Sequence, residues 1–346
     1  MRKVRFLPLF CILVLLLTAP TLLAQQDSPT PYAADTVLAT QVLSPAARSL
    51  RSYLYPHLLA QDAVITLPAG TSYDLLVETM RAMENDYPEL FAVGNYTISY
   101  YRNTPDVAQS VTPEYHCSAA EAAMLRQQLL ETAQAWVADS ADPLVLFDQL
   151  VCSTVYTEEN VWSQTAIGAL LFGEAVCTGY AQALSLLYRL AGIPCGMITG
   201  DAVTADGAGA HAWNVTNFGF LDPTWAHSYD GHVLHSNYAM REDEMLVDHT
   251  PWEGVVYPDL SGMENYYQAR GLLLDTDVAL RAQLMRLADG DAVEVQFSPA
   301  LYERYAGQFN RVFDICMEAT GSEIPFYGAF SYIVDENRRV LLIFPI

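Results

Sequence analysis

The sequence predicts an α+β protein in which a helix carrying a cysteine packs on a small antiparallel sheet carrying a histidine and an aspartate. Cys177 stands where a loop leads into an apolar helical pattern. His211 and Asp222 follow in two short strand patterns separated by turn residues. We expect these three side chains to meet as a catalytic triad, with small α+β units on both sides of this core.

Length and charge limit the classes of protein that this chain can belong to. Its 346 residues, 52% of them hydrophobic, exceed the about 100 to 200 residues of one domain, so two or three units are expected. The formal net charge is −23. Nucleic-acid and anionic-membrane sites need clustered Lys and Arg, so neither partner is expected and a neutral or basic substrate is favoured.

Residues 1–24 have the pattern of a secretory signal peptide. Arg2, Lys3 and Arg5 precede an apolar stretch at residues 6–19. That stretch is shorter than the roughly 20 residues of a transmembrane helix, which makes an uncleaved anchor the weaker alternative. The sequence therefore predicts a secreted or extracytoplasmic protein, including cell-surface association, with no membrane contact beyond this segment.

The two flanking regions, residues 25–115 and 263–346, share an order of predicted elements. In the first region these are a helix from Ser44 and Pro45, a strand at 63–67, a helix at 72–84 and a strand at 96–101. In the second they are a helix at 278–288, a strand at 292–297, a helix at 299–318 and a hairpin at 328–344. The shared order suggests two similar units, with coincidence as the alternative.

The central domain, residues 116–262, begins with two predicted helices. Ser118 and Glu121 form a capping-box pattern for a helix that reaches residue 138. A second helix over 144–155 follows Asp142, and its apolar stripe predicts a buried face that includes Cys152.

Cys177 opens a helix that ends at a glycine and a proline, Gly192 and Pro194. Unpaired amides and the positive end of the helix dipole stabilise a thiolate at such a position, and a neighbouring imidazolium does so further. Cys177 is therefore the predicted nucleophile.

The hairpin of residues 211–216 and 220–225 can be tested by strand alternation. If Val215 faces Phe220, Asp222 lies opposite Trp213 and on the same face as His211. The imidazole and carboxylate are then diagonal neighbours within reach of each other. Asn214, the rival orienting residue, points to the opposite face.

Other polar residues have weaker predicted roles. The Cys177 backbone amide is one expected oxyanion donor. Trp162, Gln164 and Trp213 are candidates for a second donor or for cleft residues, with ordinary loop or core positions as the alternative. A further set of histidines is expected on a solvated surface, with a cleft or weak metal site as alternatives: His227, His232, His235 and His249.

Five cysteines remain once the signal peptide with Cys11 is removed, which suits one free thiol, Cys177. The other four form disulfides with three possible connectivities or are buried apolar residues: Cys117, Cys152, Cys195 and Cys316. No spacing fits a zinc site, so no metal and no cofactor are expected.

Residues of about 140 to 250 resemble the transglutaminase-like superfamily of papain-type thiol enzymes, in the form of exported bacterial proteins. The resemblance rests on four motifs: AVCTGYA at 175–181, AGIPC at 191–195 followed by Gly200, HAWN at 211–214 and LDPTW at 221–225. It implies that Cys177 is the nucleophile, His211 the base and acid, and Asp222 the orienting residue. The chain departs from the family pattern at Phe147 and Asp148, where relatives often carry a histidine and an aspartate.

The resemblance implies acyl transfer through a thiol. Members of the superfamily crosslink glutamine to amines, deamidate, cleave peptide or isopeptide bonds, or remove glycans. Transfer to an amine needs a second binding surface that excludes water, and no sequence feature indicates one, so hydrolysis of an amide bond in a protein or peptide, including cell-wall or surface substrates, is favoured. The alternative is a non-catalytic module of the same fold that binds cell-surface peptide or glycan.

Overall fold

A computed structural model of the protein describes Pro31, Leu38 and residues 43–204, 207–255, 257–305 and 330–346. The expected signal peptide and Cys316 lie outside these ranges. Within them, none of the helices combines the length and the hydropathy that a membrane span requires.

The N-terminal region places two helices on a three-stranded antiparallel sheet. Its elements are α1 (Pro45–Leu59), β1 (Ile65–Thr66), α2 (Tyr73–Asp86), a 3₁₀ turn (Pro88–Leu90), β2 (Val93–Tyr101) and β3 (Thr104–Tyr115), with strand order β1-β3-β2. Ser44 and Ser72 cap the helices, each accepting a hydrogen bond from a first-turn amide.

Strand β3 was absent from the sequence expectations. It contains Pro105 and Pro113, which cannot donate to a ladder and weaken a strand pattern. Pairing with β2 overrides that preference, and the register shifts at three places along the pair. The short strand expected at 63–67 is reduced to the two residues of β1.

Two helices lead into the central domain: α3 (Ala119–Asp139) and α4 (Pro143–Ser153). The Ser118 hydroxyl accepts from the Glu121 amide, and the Asp142 carboxylate accepts from the Leu144 amide at 2.8 Å. The predicted apolar stripe of α4 is buried. Cys152 is an exception, because its thiol is exposed and the prediction of a core position was wrong.

The central element is α5 (Cys177–Leu190), which follows β4 (Val155–Tyr156), a π-helical turn (Gly168–Phe172) and β5 (Glu174–Ala175). Almost the whole circumference of α5 is buried, as an interior helix requires. Gly192, at φ 77°, follows the helix end, as predicted. Arg189 ties α5 to the N-terminal region through a buried pair with Asp86.

A four-stranded antiparallel sheet packs against α5. Its strands are β6 (Cys195–Thr204), β7 (Gly207–Thr216), β8 (Gly219–Leu221) and β11 (His249–Pro251), in the order β11-β6-β7-β8. Val215 pairs with Phe220, which confirms the predicted hairpin register. Between β8 and β11 lie β9 (Ser228–Tyr229), β10 (His232–Val233), a 3₁₀ turn (His235–Asn237) and α6 (Glu242–Met245).

The C-terminal region contains a second four-stranded sheet of order β12-β13-β15-β14. Its elements are α7 (Tyr266–Ala269), β12 (Leu273–Leu274), α8 (Asp277–Leu284), a 3₁₀ turn (Met285–Asp289), β13 (Val293–Phe297), α9 (Pro299–Arg304), β14 (Phe330–Asp335) and β15 (Val340–Pro345). The predicted helix over 299–318 extends beyond the described residues. The C-terminal region adds α7 and β12 to the predicted order, its β12–β13 pair is parallel, and the N-terminal sheet is antiparallel throughout.

Candidate active site

Cys177 is the first residue of α5, and the chain reaches it in extended conformation. Val176 is the N-cap residue, without a side-chain cap, and its amide donates to the Ser163 carbonyl at 3.0 Å. The loop containing Ser163 lies against the first helical turn, where a Cβ on Gly179 would stand 2.3 Å from that carbonyl oxygen. Only glycine lets the loop approach so closely.

His211 and Asp222 meet as the register predicts. The imidazole Nε2 lies 2.8 Å from Asp222 Oδ2, and the Asp222 side chain is wholly buried. The other carboxylate oxygen accepts from the amides of Thr224 and Trp225. Strand β8 therefore ends at Leu221, and the predicted strand over 220–225 was too long because Asp222 caps a turn instead.

The thiol and the imidazole favour an ion pair. Burial alone would raise the pKa of Cys177, but a hydrogen bond with His211, the charge of that ring and the Ala212 amide lower it below its ordinary value. Burial alone would lower the pKa of His211, but Asp222 and Cys177 raise it to about 10. Burial alone would raise the pKa of Asp222, yet His211 and His249 hold it low.

His249 lies in the site, beside Asp222, a place that the sequence did not predict. Its ring is fully buried, with Nε2 3.1 Å from Asp222 Oδ2 and Nδ1 2.6 Å from Asp248 Oδ1. Arg338 of the C-terminal region donates two hydrogen bonds to Asp248, at 2.8 and 2.7 Å. The three-residue strand β11 has no periodicity that could have signalled this position.

The four histidines expected on a solvated surface have three different surroundings. His227 is exposed and His232 is half-buried. His249 and His235 are buried, so the expectation was wrong for both. His235 lies between Glu294 and Asp148, with ring nitrogens 2.6 and 2.9 Å from their carboxylate oxygens.

Aromatic rings enclose the histidine pair. Trp213 is fully buried and stacks on His211 at an interplanar angle of 21°, so it packs beneath the site and does not line a cleft. Trp225 lies 5.0 Å from His211 and 4.7 Å from His249 between ring centroids. Asn214 points away, as predicted, and donates to the Ala181 carbonyl and the Ser185 hydroxyl.

Trp162 and Gln164 line a cavity of about 550 Å³. Its other walls come mainly from α1, α2 and the turn that joins α2 to β2. Phe91 contacts Trp162 edge to face there, at 5.6 Å between ring centroids. The triad does not line this cavity, so an oxyanion role for Trp162 or Gln164 stays a prediction.

Tyr156 is a second residue that the sequence did not reveal. It is exposed on β4, which pairs with β5 just before Cys177. Partial desolvation and the nearby charges of Cys177, Glu158 and Asp222 raise the pKa of Tyr156. Tyr156 therefore lies at the solvent side of the site.

One group among the described residues has the spacing of a metal site. Ligand atoms of His211, Asp222 and His249 lie within 4.8 Å of one another. Hydrogen bonds account for each of these atoms, so we assign the group as an ion-paired cluster.

Four thiols are free in the described chain, at Cys117, Cys152, Cys177 and Cys195. Cys195 is buried, in agreement with the apolar interpretation of that residue. Pairings that involve Cys316 lie outside the described residues.

Comparisons with known proteins bear on the central segment. Residues 128–228 match the family model of the transglutaminase-like superfamily, which confirms the resemblance for that segment and the α+β class of the core. No curated protein matches. Six chains of solved structures match, among them a provisionally assigned cysteine protease from Cytophaga hutchinsonii, with 15% identity and a TM-score of 0.24. That match covers 38% of this chain and 62% of the other, less than two thirds of its length.

Proposed function

We propose that the protein is a secreted thiol enzyme that hydrolyses an amide bond in a peptide or protein through an acyl-enzyme. The observation that carries this proposal is the arrangement of three groups. Cys177 begins a helix, His211 lowers the pKa of its thiol, and His211 Nε2 lies 2.8 Å from a buried Asp222 oxygen. This is the arrangement that thiol acyl transfer requires.

The reaction can be written with these groups alone. The Cys177 thiolate attacks the carbonyl carbon, and the first-turn amide of Cys177, which has no intrahelical partner, stabilises the oxyanion. His211 then gives its proton to the leaving amine as the C–N bond breaks, which leaves a thioester. Water attacks the thioester while His211 accepts its proton, and the thiolate departs with release of the acid.

Asp222 keeps His211 in the required tautomer. Because Nε2–H is donated to the carboxylate, Nδ1 is the nitrogen left to exchange a proton with Cys177 and the substrate. The imidazolium formed in each half-reaction faces a buried negative charge. An amine acceptor in place of water would convert the same thioester to a crosslink.

The preference for hydrolysis is supported by the openness of the site. Tyr156, which is exposed, lies at the solvent side of Cys177, and water needs no binding surface of its own. The strongly acidic chain favours neutral or basic substrates, including cell-wall or surface peptides.

The test uses a complex peptide mixture, with and without an added primary amine, read by mass spectrometry. New peptide termini or glutamine-to-glutamate conversion indicate hydrolysis, and amine adducts indicate transfer. Cys177→Ala is expected to abolish every product, and Cys152→Ala, a matched change of an exposed thiol, is expected to abolish none. Products that persist in Cys177→Ala would disprove the mechanism, and peptide binding without products would favour the binding module.

A further inference from the structure

We propose that His249 is a positioning residue of the active site, an imidazolium that shares the Asp222 carboxylate with His211 and so limits how strongly His211 holds its proton. The inference rests on the proposed function, since it concerns the acid and base of that reaction. Its test does not depend on turnover.

The charge of His249 follows from its hydrogen bonds. Both ring nitrogens face carboxylate oxygens, Asp222 Oδ2 at 3.1 Å and Asp248 Oδ1 at 2.6 Å. An ionised carboxylate only accepts, so each ring nitrogen must donate, and a neutral imidazole has a single N–H. Burial alone would lower the pKa of His249, but the bonds and charges of the two aspartates raise it.

The C-terminal region holds this charge in place. Arg338, in the turn between β14 and β15, is bidentate on Asp248 and lies 3.4 Å from Asp335. The charged groups that face His249 are Asp222 after β8, Asp248 before β11 and His211 on β7, with Arg338 behind Asp248. Positive and negative groups therefore alternate from His211 to Asp335.

The shared carboxylate couples the two histidines. Asp222 Oδ2 accepts from both rings, whose centroids are 5.4 Å apart. A unit charge at that distance opposes protonation of His211 by about two pKa units at an effective dielectric constant of about 20. A general acid must release its proton to the leaving group, so a less basic His211 is the better catalyst.

The experiment is an NMR titration of the His211 ring in the Cys177→Ala protein, where no thiolate perturbs it. Adding His249→Gln keeps an N–H that Asp222 can accept but removes the charge, so the pKa of His211 is expected to rise by about one unit or more. His235→Gln in the same background is the matched control, because it removes another buried histidine held between two carboxylates, and it is expected to leave His211 unchanged.

A His211 pKa that stays constant or falls in a folded His249→Gln protein would overturn the proposal. If that variant does not fold, the ring nitrogen shifts of His249 in the wild-type chain decide, since both nitrogens are expected to be protonated at neutral pH. A neutral His249 there would contradict the proposal. Either failure leaves the Cys177 reaction untouched, because activity is measured separately.

Discussion

The described cysteines occupy different electrostatic surroundings. Partial desolvation raises the pKa of Cys117 and Cys152, and a nearby carboxylate, Glu121 or Asp148, adds to each effect. Burial raises the pKa of Cys195 to about 11. Cys177 alone among them has a lowered pKa, because His211 outweighs its desolvation.

We expect alkylation by iodoacetamide at neutral pH to be about tenfold or more faster at Cys177 than at Cys152, although Cys152 is the more exposed thiol. The physical reason is the larger thiolate fraction at Cys177. Peptide mapping by mass spectrometry after timed quenching, repeated over a pH series, measures it.

His211→Ala is the control for this prediction, because it leaves the helix terminus intact and removes the imidazole. In this variant the alkylation rate of Cys177 at neutral pH should fall below that of the wild-type protein. The rate should then increase only toward alkaline pH. Equal rates at Cys177 and Cys152 in the wild-type protein would mean that no ion pair forms.

At the scale of elements, the first turn of α5 and the loop before it form one unit. A Cβ added at Gly179 would lie 2.3 Å from the Ser163 carbonyl oxygen and 2.9 Å from the Thr165 carbonyl oxygen. A glycine-to-alanine change within a helix normally stabilises it by about 1 kcal/mol. Here the close backbone contact reverses that preference.

Gly179→Ala is expected to lower the free energy of unfolding by about 1–3 kcal/mol, because the loop must move away from the helix. Denaturant titration measures the loss. Gly209→Ala is the matched control, since an added Cβ there meets nothing within 4 Å and the residue lies in the exposed part of β7. A Gly179→Ala protein as stable as wild type would show that the loop adjusts freely.

At the scale of the whole molecule, one hydrophobic core runs through all three regions. It includes Leu54 of α1, Leu146 of α4, Leu184 of α5 and Phe344 of β15. Buried ion pairs cross the same boundaries, with Arg338 reaching the active-site cluster and His235 joining Asp148 of α4 to Glu294 of β13.

We expect His235 to make the free energy of unfolding depend on pH. Burial alone would lower its pKa, but Asp148 and Glu294 raise it to about 9 from 6.5. A histidine whose pKa is raised by folding stabilises the folded protein fully at pH values below its pKa in the unfolded chain. The His235 contribution of about 3 kcal/mol to the free energy of unfolding is therefore present below about pH 6.5 and is lost as pH rises through about 9.

The measurement is the difference in unfolding free energy between the wild-type protein and His235→Gln as a function of pH. It should be largest in mildly acidic solution and shrink across the alkaline range. A difference that is constant with pH would mean that folding does not shift the pKa of His235.

Local patterns were sufficient for helices α1 to α5 and for the catalytic face. Proline and serine capping signals located the starts of α1, α3 and α4, and strand alternation alone predicted Asp222 beside His211. These features depend on neighbours within a few residues, which is why the chain reveals them directly. The Val215–Phe220 register is the sharpest example.

Contacts between segments that are distant in the sequence could be seen only in the tertiary structure. His249 meets Asp222 across 27 residues and Asp248 meets Arg338 across 90, and neither pair has a spacing that a sequence can display. Strand β3 likewise depends on a partner strand to override its prolines. Periodicity encodes which side of an element is buried, whereas the choice of ion-pair partner is made only when the elements pack together.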